Sequence, residues 1–237
     1  MMTSALLLAF MAGSAIPIGG GLAWFDSVAR QWGKGEEEFH HTVIAFGGGA
    51  LFSAVALVLV PEGAEKISNL SAILAFAAGG YGFYLLDCIL DWISGSTSQL
   101  VAMMSDFIPE AIALGASFAS QDPAALLLAL MIGLQNLPEG FNAYRELIGS
   151  AKLSPRFVLT AFCLLSLCGP LAAWVGLEFL AERESLLGGL MLFAAGGIFY
   201  ITFEDIAPQA VLKNSRRPAL GSVAGFALGL VGYLMTT

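Results

Sequence analysis

Long apolar runs constrain this chain more than any other feature of its sequence. Runs of about 20 mainly apolar residues, the length of helix that crosses the hydrocarbon core of a bilayer, recur along the whole chain with short connections between them. Only 12% of the 237 residues are Asp, Glu, Lys or Arg. That share is about half of the charged content typical of soluble domains. The sequence therefore predicts an all-α integral membrane protein.

We predict a single transmembrane domain over residues 1–237, with no soluble domain attached. The first run is interpreted as a helix and not as a signal peptide, because it has no basic residues before it and its apolar stretch is long. The eight helices are predicted at approximately 3–25, 40–61, 71–92, 99–119, 123–144, 156–179, 186–208 and 217–236.

The ten basic residues predict an orientation. With eight spans, eight of the ten fall on one side, and only Lys66 and Arg183 fall on the other. The positive-inside rule makes the richer side cytoplasmic, so both termini should lie outside, with the plasma (inner) membrane as the expected location. The net charge of −8 argues against nucleic acid as a partner.

Two segments suggest an inverted internal repeat. Residues 46–61 (FGGGALFSAVALVLVP) align without gaps with residues 193–208 (FAAGGIFYITFEDIAP), 147 positions later. In the predicted orientation helix 2 runs outward and helix 7 runs inward. Inverted repeats in transporters place a substrate site near the membrane midplane. The alternative is a pair of similar glycine-rich packing helices, since small residues let helices approach closely.

Predicted helices 4 and 5 carry the pattern with the most chemical content. Residues 105–111 read SDFIPEA and residues 134–140 read LQNLPEG, so each helix has a polar residue, two others, and then Pro-Glu. A spacing of four stacks the polar residue and the glutamate on one helix face. The proline opens the preceding turn, where freed carbonyls can coordinate a cation or water if they line a cavity.

Acidic residues inside the runs have no basic residue to balance them. No Lys, Arg or His lies in the middle of a run, and a charge at the bilayer centre costs about 2.5–3.5 kcal/mol or more. Protons or metal ions must neutralise these acids, which predicts a cation path; the alternative is protonated carboxyls packed as core. The seven acidic residues in or at the ends of runs are Asp87, Asp91, Asp106, Glu110, Glu139, Glu204 and Asp205.

These residues resemble the Zrt-/Irt-like (ZIP) family of divalent-metal transporters. The paired signatures of that family on helices 4 and 5 are close to H-N-x-P-E-G, and DFIPEA and QNLPEG stand in those places here. The resemblance implies eight helices with both termini outside, built as an inverted-repeat bundle with helices 4 and 5 central. It also implies a non-enzymatic protein that moves Zn²⁺, Fe²⁺ or Mn²⁺.

The resemblance also implies the metal ligands. Phe107 stands where the family usually has Asn, and Gly169 where an acidic residue often precedes Pro, so a complete second site is not expected. With His absent, carboxylate and amide oxygens suit Fe²⁺ or Mn²⁺, and Zn²⁺ also accepts carboxylates. The implied ligands are Asp106, Glu110, Gln135 and Glu139, with Asn136 at a second-site position and Glu204 and Asp205 near the cytoplasmic mouth.

Two further acidic features have two interpretations each. Asp87 and Asp91, four apart on helix 3, either line an exit path or, for Asp91, cap the helix end. The run EEEFHH at residues 36–41 is interpreted as a solvated loop at a helix start in preference to a metal-gathering exit.

The expected function is passive or proton-linked movement of a divalent cation, with the cytoplasm as the expected destination. No catalytic site and no resident cofactor are expected. The expected partners are the metal ions and the lipid bilayer, with a homodimer left open. The alternatives are an exporter, and a non-transporting scaffold or metal sensor on the same bundle. Pro218, Ala219 and Leu220 match a short signature of intramembrane aspartyl proteases, but the paired aspartyl motifs of that group are absent.

Overall fold

The computed structural model describes residues 2–31, 37–93, 98–119, 124–149 and 152–236, and within them the chain is a succession of helices without a β-sheet. The all-α prediction is confirmed for this part of the chain. Each predicted run coincides with one helix, and α1 and α5 continue past their predicted ends. The helices are α1 (Met2–Gln31), α2 (Glu37–Glu65), α3 (Asn69–Ile93), α4 (Ser98–Ala119), α5 (Ala124–Gly149), α6 (Pro155–Leu180), α7 (Glu184–Ala210) and α8 (Ala219–Thr236).

Five helices, α1, α2, α3, α6 and α7, contain stretches long and apolar enough to cross a membrane. The apolar stretch of α8, Ala219–Met235, is shorter. Helices α4 and α5, which carry the paired polar motifs, are not among these five when only the described residues are counted. The described helices therefore indicate a membrane protein, while the full set of eight spans stays a prediction.

Helix α3 shows most directly what surrounds the bundle. Only 11% of its apolar stretch is buried inside the protein. Leu70, Ile73, Leu74 and Tyr81 are each at least 60% exposed. Soluble monomers rarely leave apolar patches larger than a few hundred Å² open to water, so a face of this kind fits lipid.

The helices pack in pairs around α4 and α5. Helix α1 packs on α5 and α4 on α6, while α2 packs on α8 and α3 on α7. Helices α4 and α5 also contact each other, and α2 and α7 contact each other. This set of pairings is unchanged when α1 is exchanged with α6, α2 with α7, α3 with α8 and α4 with α5. The bundle is thus arranged as two similar halves.

Glycines at matching positions bring the outer pairs together. A Cβ atom on Gly49 of α2 would collide with the carbonyl oxygen of Ser222 on α8. A Cβ atom on Gly196 of α7, 147 positions later, would collide with the carbonyl oxygen of Phe76 on α3. Small residues permit this close approach between membrane helices. The partner helices make matching contacts. A Cβ atom on Gly225 of α8 would collide with the carbonyl oxygen of Phe46 on α2, and one on Gly79 of α3 would collide with that of Phe193 on α7.

Helices α2 and α7 also share a wide helical turn at the same place. Val55–Leu59 in α2 and Thr202–Ile206 in α7 are π-helical, and their first residues are 147 positions apart. The two helices run antiparallel, since Gly63 near the end of α2 meets Gly188 near the start of α7. π-Helical turns often occur at functional sites. The sequence alignment did not predict these wide turns.

Candidate metal site

Helices α4 and α5 place both Pro-Glu motifs inside the bundle. Each helix continues through its proline, Pro109 in α4 and Pro138 in α5. Each proline lacks the N–H that would bond to the carbonyl one turn earlier. The glutamates that follow face the protein interior, because Glu110 is 0% exposed and Glu139 is 8% exposed.

Hydrogen bonds connect the motif residues to each other and to α1. The Gln135 amide nitrogen donates to Glu110 Oε2, which joins α5 to α4. The Asn136 amide nitrogen donates to the carbonyl oxygen of Ala12 in α1 at 3.1 Å. Asp106 Oδ1 accepts from the backbone N–H of Phe107 at 2.8 Å. The Gln135 and Asn136 amides of α5 therefore donate to protein oxygens, while their own oxygens accept no hydrogen bond from a described residue.

Buried oxygens without a hydrogen-bond partner collect on these two helices. Leaving such a group unsatisfied costs about 1–3 kcal/mol, and more when it is charged. Each case in a native structure calls for an explanation such as a bound ion. Within the described part of the chain, the unpartnered side-chain oxygens are Glu110 Oε1, Gln135 Oε1, Asn136 Oδ1, both carboxylate oxygens of Glu139, and Asn142 Oδ1.

The carboxylates in this region have no basic partner among the described residues. Asp106 and Glu110 lie close enough to Glu139 to interact with it electrostatically. None of these three forms an ion pair in the described ranges. Further along α5, Arg145 pairs instead with Asp26 of α1 at 3.4 Å. The region is therefore rich in oxygen acceptors, and no described cationic side chain forms an ion pair with its carboxylates.

The geometry does not form a closed cage of charged ligands. In the ranges that the structure describes, no group of three or more His, Cys, Asp or Glu side chains is arranged to hold a metal ion. An ion at this place would be bound by carboxylate and amide oxygens together, as hard divalent cations prefer. The role of Asp106, Glu110, Gln135, Asn136 and Glu139 as ligands stays a prediction.

Phe107 occupies the space beside the motif on α4. Its side chain is fully buried. A Cβ atom on Gly13 of α1 would lie 2.9 Å from its ring, and one on Gly169 of α6 would lie 2.7 Å away. The ring thus fills the gap between α1 and α6 that the two glycines leave. On this side of the motif the structure has a buried aromatic ring, and position 107 supplies no oxygen.

The predicted path residues lie near one end of the bundle. Asp87 of α3 accepts a hydrogen bond from the Tyr200 hydroxyl at 3.0 Å. Asp205 of α7 accepts from the Gln209 amide at 2.7 Å, and Glu204 is exposed. Asp91 belongs to α3, but its side chain lies outside the described residues. Their role in a path stays a prediction.

Sequence reasoning missed two polar residues beyond the motif on α5. Asn142, with its unpartnered oxygen, lies three residues after Glu139 and so follows it along one face of α5. Glu146 lies one further turn along and interacts electrostatically with Asp205, as does Asp87. The spacing of residues 135, 139, 142 and 146 on one helix was the signal that could have found them.

The run at residues 36–41 differs from its favoured interpretation as a loop. Residues from Glu37 onward form the first turns of α2. His40 packs its ring 5.8 Å from that of Phe141 in α5, and His41 Nδ1 donates to the carbonyl oxygen of Gln209 at 2.7 Å. Glu36 lies outside the described residues. The two histidines therefore join α2 to α5 and α7.

The fold defines a class of protein, the helical membrane proteins with a polar interior. Sequence similarity adds a second observation. No protein-family model matches the chain. The protein named zinc transporter GufA from Myxococcus xanthus is 33% identical over 142 residues, covering 59% of this chain and 55% of that protein. The chain thus spans about half the length of the curated relative it matches. Together with the apolar helices, this similarity points to a membrane protein.

Proposed function

We propose that this chain is a ZIP-type transporter that moves a divalent metal ion through the site on α4 and α5, and is not an enzyme. The observation that carries the proposal is the set of buried, unpartnered oxygens on these helices, with no basic side chain paired to them in the described ranges. A divalent cation would satisfy these oxygens and compensate the charge. The relative's name as a zinc transporter supports the same class.

The residues suggest how an ion would be bound and released. Glu110 and Glu139 supply negative charge, Asp106 adds to it, and Gln135 and Asn136 supply neutral oxygens. The amide donor of Gln135 holds Glu110 in place, so its own oxygen stays available. Asn142 and the acidic groups near Asp205 would receive the ion on its way to the side predicted to be cytoplasmic. Both termini would then lie outside a plasma membrane.

The paired halves provide a way to expose the site alternately. The antiparallel α2 and α7, with matching glycines and wide turns, support an inverted repeat of eight spans in which six surround α4 and α5. In such repeats one half or bundle moves against the other around a fixed central site. We place Zn²⁺ beside Fe²⁺ and Mn²⁺ as substrates, since an oxygen-only site accepts each of them.

The test is metal uptake by the purified chain in liposomes that contain a metal-sensitive dye. Glu139→Ala removes a buried carboxylate with no protein partner, and we expect it to reduce uptake of Zn²⁺, Fe²⁺ and Mn²⁺ to background. Glu182→Ala, which removes an exposed carboxylate between α6 and α7, is the matched control and should transport normally. Wild-type protein that binds metal without moving it would identify a sensor or scaffold and refute transport.

A further inference from the structure

A long open groove lies along α2, α7 and α8, and none of the candidate metal-site residues lines it. It has a volume of about 1080 Å³ and is bounded by α2, the end of α7 and α8. Gly48, Gly49 and Phe52 of α2 line it together with Phe203 of α7 and Val223 of α8. Phe203 and Val223 are largely exposed within it. The lining is mostly apolar, which in a membrane protein suits hydrocarbon.

The length of the groove along α8 is close to the hydrocarbon thickness of one bilayer leaflet. It extends along α8 from Pro218 to Leu230. At 1.5 Å per helical residue, this distance is about 18 Å. Half of a typical hydrocarbon core is about 15 Å. A groove of this length accepts an acyl chain that enters from one surface and ends near the midplane.

The mouth of the groove carries positive charge. Lys213 and Arg216, in the loop between α7 and α8, line it and are exposed. Neither forms an ion pair or hydrogen bond with a described residue. By contrast, Nε of the neighbouring Arg217 lies 3.8 Å from Oε1 of Glu38 on α2 and forms an ion pair with it. In a chain with a net charge of −8, two unpaired cations at one apolar opening favour an anionic group there.

We infer that this groove binds an anionic phospholipid, with its phosphate at Lys213 and Arg216 and an acyl chain along α2, α7 and α8. Basic pockets between membrane helices on the cytoplasmic side bind anionic headgroups in this way. The inference depends on the membrane placement proposed above and is independent of the metal site. A second copy of the chain would require no basic mouth, whereas a lipid uses the charge and the depth together.

The test measures lipid retained by the full-length protein in mixed detergent micelles that contain equal amounts of phosphatidylglycerol and phosphatidylcholine. Native mass spectrometry of the wild type should show a clear preference for phosphatidylglycerol. The double variant Lys213→Gln, Arg216→Gln should retain about 30-fold less, because each basic side chain contributes about fivefold near an anionic lipid. Ala227→Trp, which fills the groove without altering charge, should reduce retention of phosphatidylglycerol.

Matched variants control for charge and bulk. Lys152→Gln with Arg156→Gln removes two exposed cations from the loop region on the same predicted side, and Ala224→Trp adds a ring on an exposed α8 position outside the groove. Both should retain lipid like the wild type. The inference fails if wild-type protein shows no preference between the two lipids, or if inorganic phosphate displaces the lipid completely.

Three further results would test this inference apart from the proposed function. Dimerisation that Ala227→Trp abolishes, without bound lipid in the wild type, would assign the groove to a second copy and overturn the inference. Selective lipid binding by protein that transports no metal would support the groove assignment while refuting the transport proposal. Normal metal uptake with no lipid preference would support the transport proposal and refute the groove assignment.

Discussion

At the scale of single residues, Gln135 has two roles at the candidate site. Its amide nitrogen donates to Glu110 on the neighbouring helix, and its amide oxygen is buried without a partner. One side chain thus fixes the position of the Glu110 carboxylate and presents an oxygen of its own. Hydrogen bonds to charged groups contribute about 1.5–3 kcal/mol, so losing this one should be measurable.

Gln135→Met keeps the length of the side chain but removes both the donor and the oxygen. We expect the metal concentration for half-maximal uptake to rise roughly tenfold or more, since about 1.4 kcal/mol corresponds to a factor of ten. Asn69→Leu is the control, because it removes an exposed amide at the start of α3 that belongs to neither the candidate site nor the predicted path. Equal half-saturation in the wild type and Gln135→Met would show that the amide does not contribute to the site.

The site residues that the sequence predicts depend on neighbours along one helix. Those that it does not predict depend on contacts between segments that are far apart in the chain. Asp106 with Glu110, and Gln135 with Glu139, are set by spacing along one helix, so their shared burial could be anticipated. The place of Phe107 depends on Gly13 and Gly169, which come from distant parts of the chain. Only the packing of α1, α4 and α6 shows that its ring fills that space.

At the scale of elements, close helix contacts depend on glycines that the repeat places in register. The alignment of residues 46–61 with 193–208 anticipated the similarity of α2 and α7. It could not anticipate that Gly49 meets α8 and Gly196 meets α3, because no sequence signal names the partner helix. The wide turns at Val55–Leu59 and Thr202–Ile206 likewise had no recognised signal. Helix positions were predictable because long apolar runs are a strong local pattern.

Equivalent positions should respond equally to equivalent changes. Gly49→Val and Gly196→Val each introduce a side chain where the partner backbone is in contact, and we expect both to lower the thermal unfolding temperature in detergent by a similar amount. Gly189→Val is the control on α7, because nothing lies within 4 Å of a Cβ atom there. A large loss for one glycine and none for the other would argue against equivalent halves.

At the scale of the whole molecule, the distribution of charge fits the proposed transport of a divalent cation. The polar interior on α4 and α5 is acidic and amidic, while the unpaired Lys213 and Arg216 lie at a surface loop. An interior of this kind attracts cations, and the basic loop favours one orientation in the membrane. The orientation and the number of spans are predictions from loop charges and run lengths.

Uptake should decrease as the pH is lowered from neutral to clearly acidic, with the same pH on both sides of the liposome membrane. Protons would compete with the metal for Asp106, Glu110 and Glu139 at the proposed site, since carboxylate ligands bind metal in the deprotonated form. Initial rates measured with a dye calibrated at each pH would show the decrease, and a metal ionophore in protein-free liposomes controls for the dye. Rates that hold steady across this range would contradict a carboxylate site.

The paired wide turns have a consequence for the direction of flow. Because α2 and α7 are antiparallel and each has its wide turn in its second half, the two turns lie toward opposite faces of the bundle. If the eight spans cross the bilayer as proposed, each leaflet would contain one of these two wide turns. If these two wide turns open the site to the two sides of the membrane, they should open with comparable ease because they are built alike. The proposed transporter would then carry metal in either direction. The concentration gradient, and not a built-in bias, would decide whether metal enters or leaves the cell.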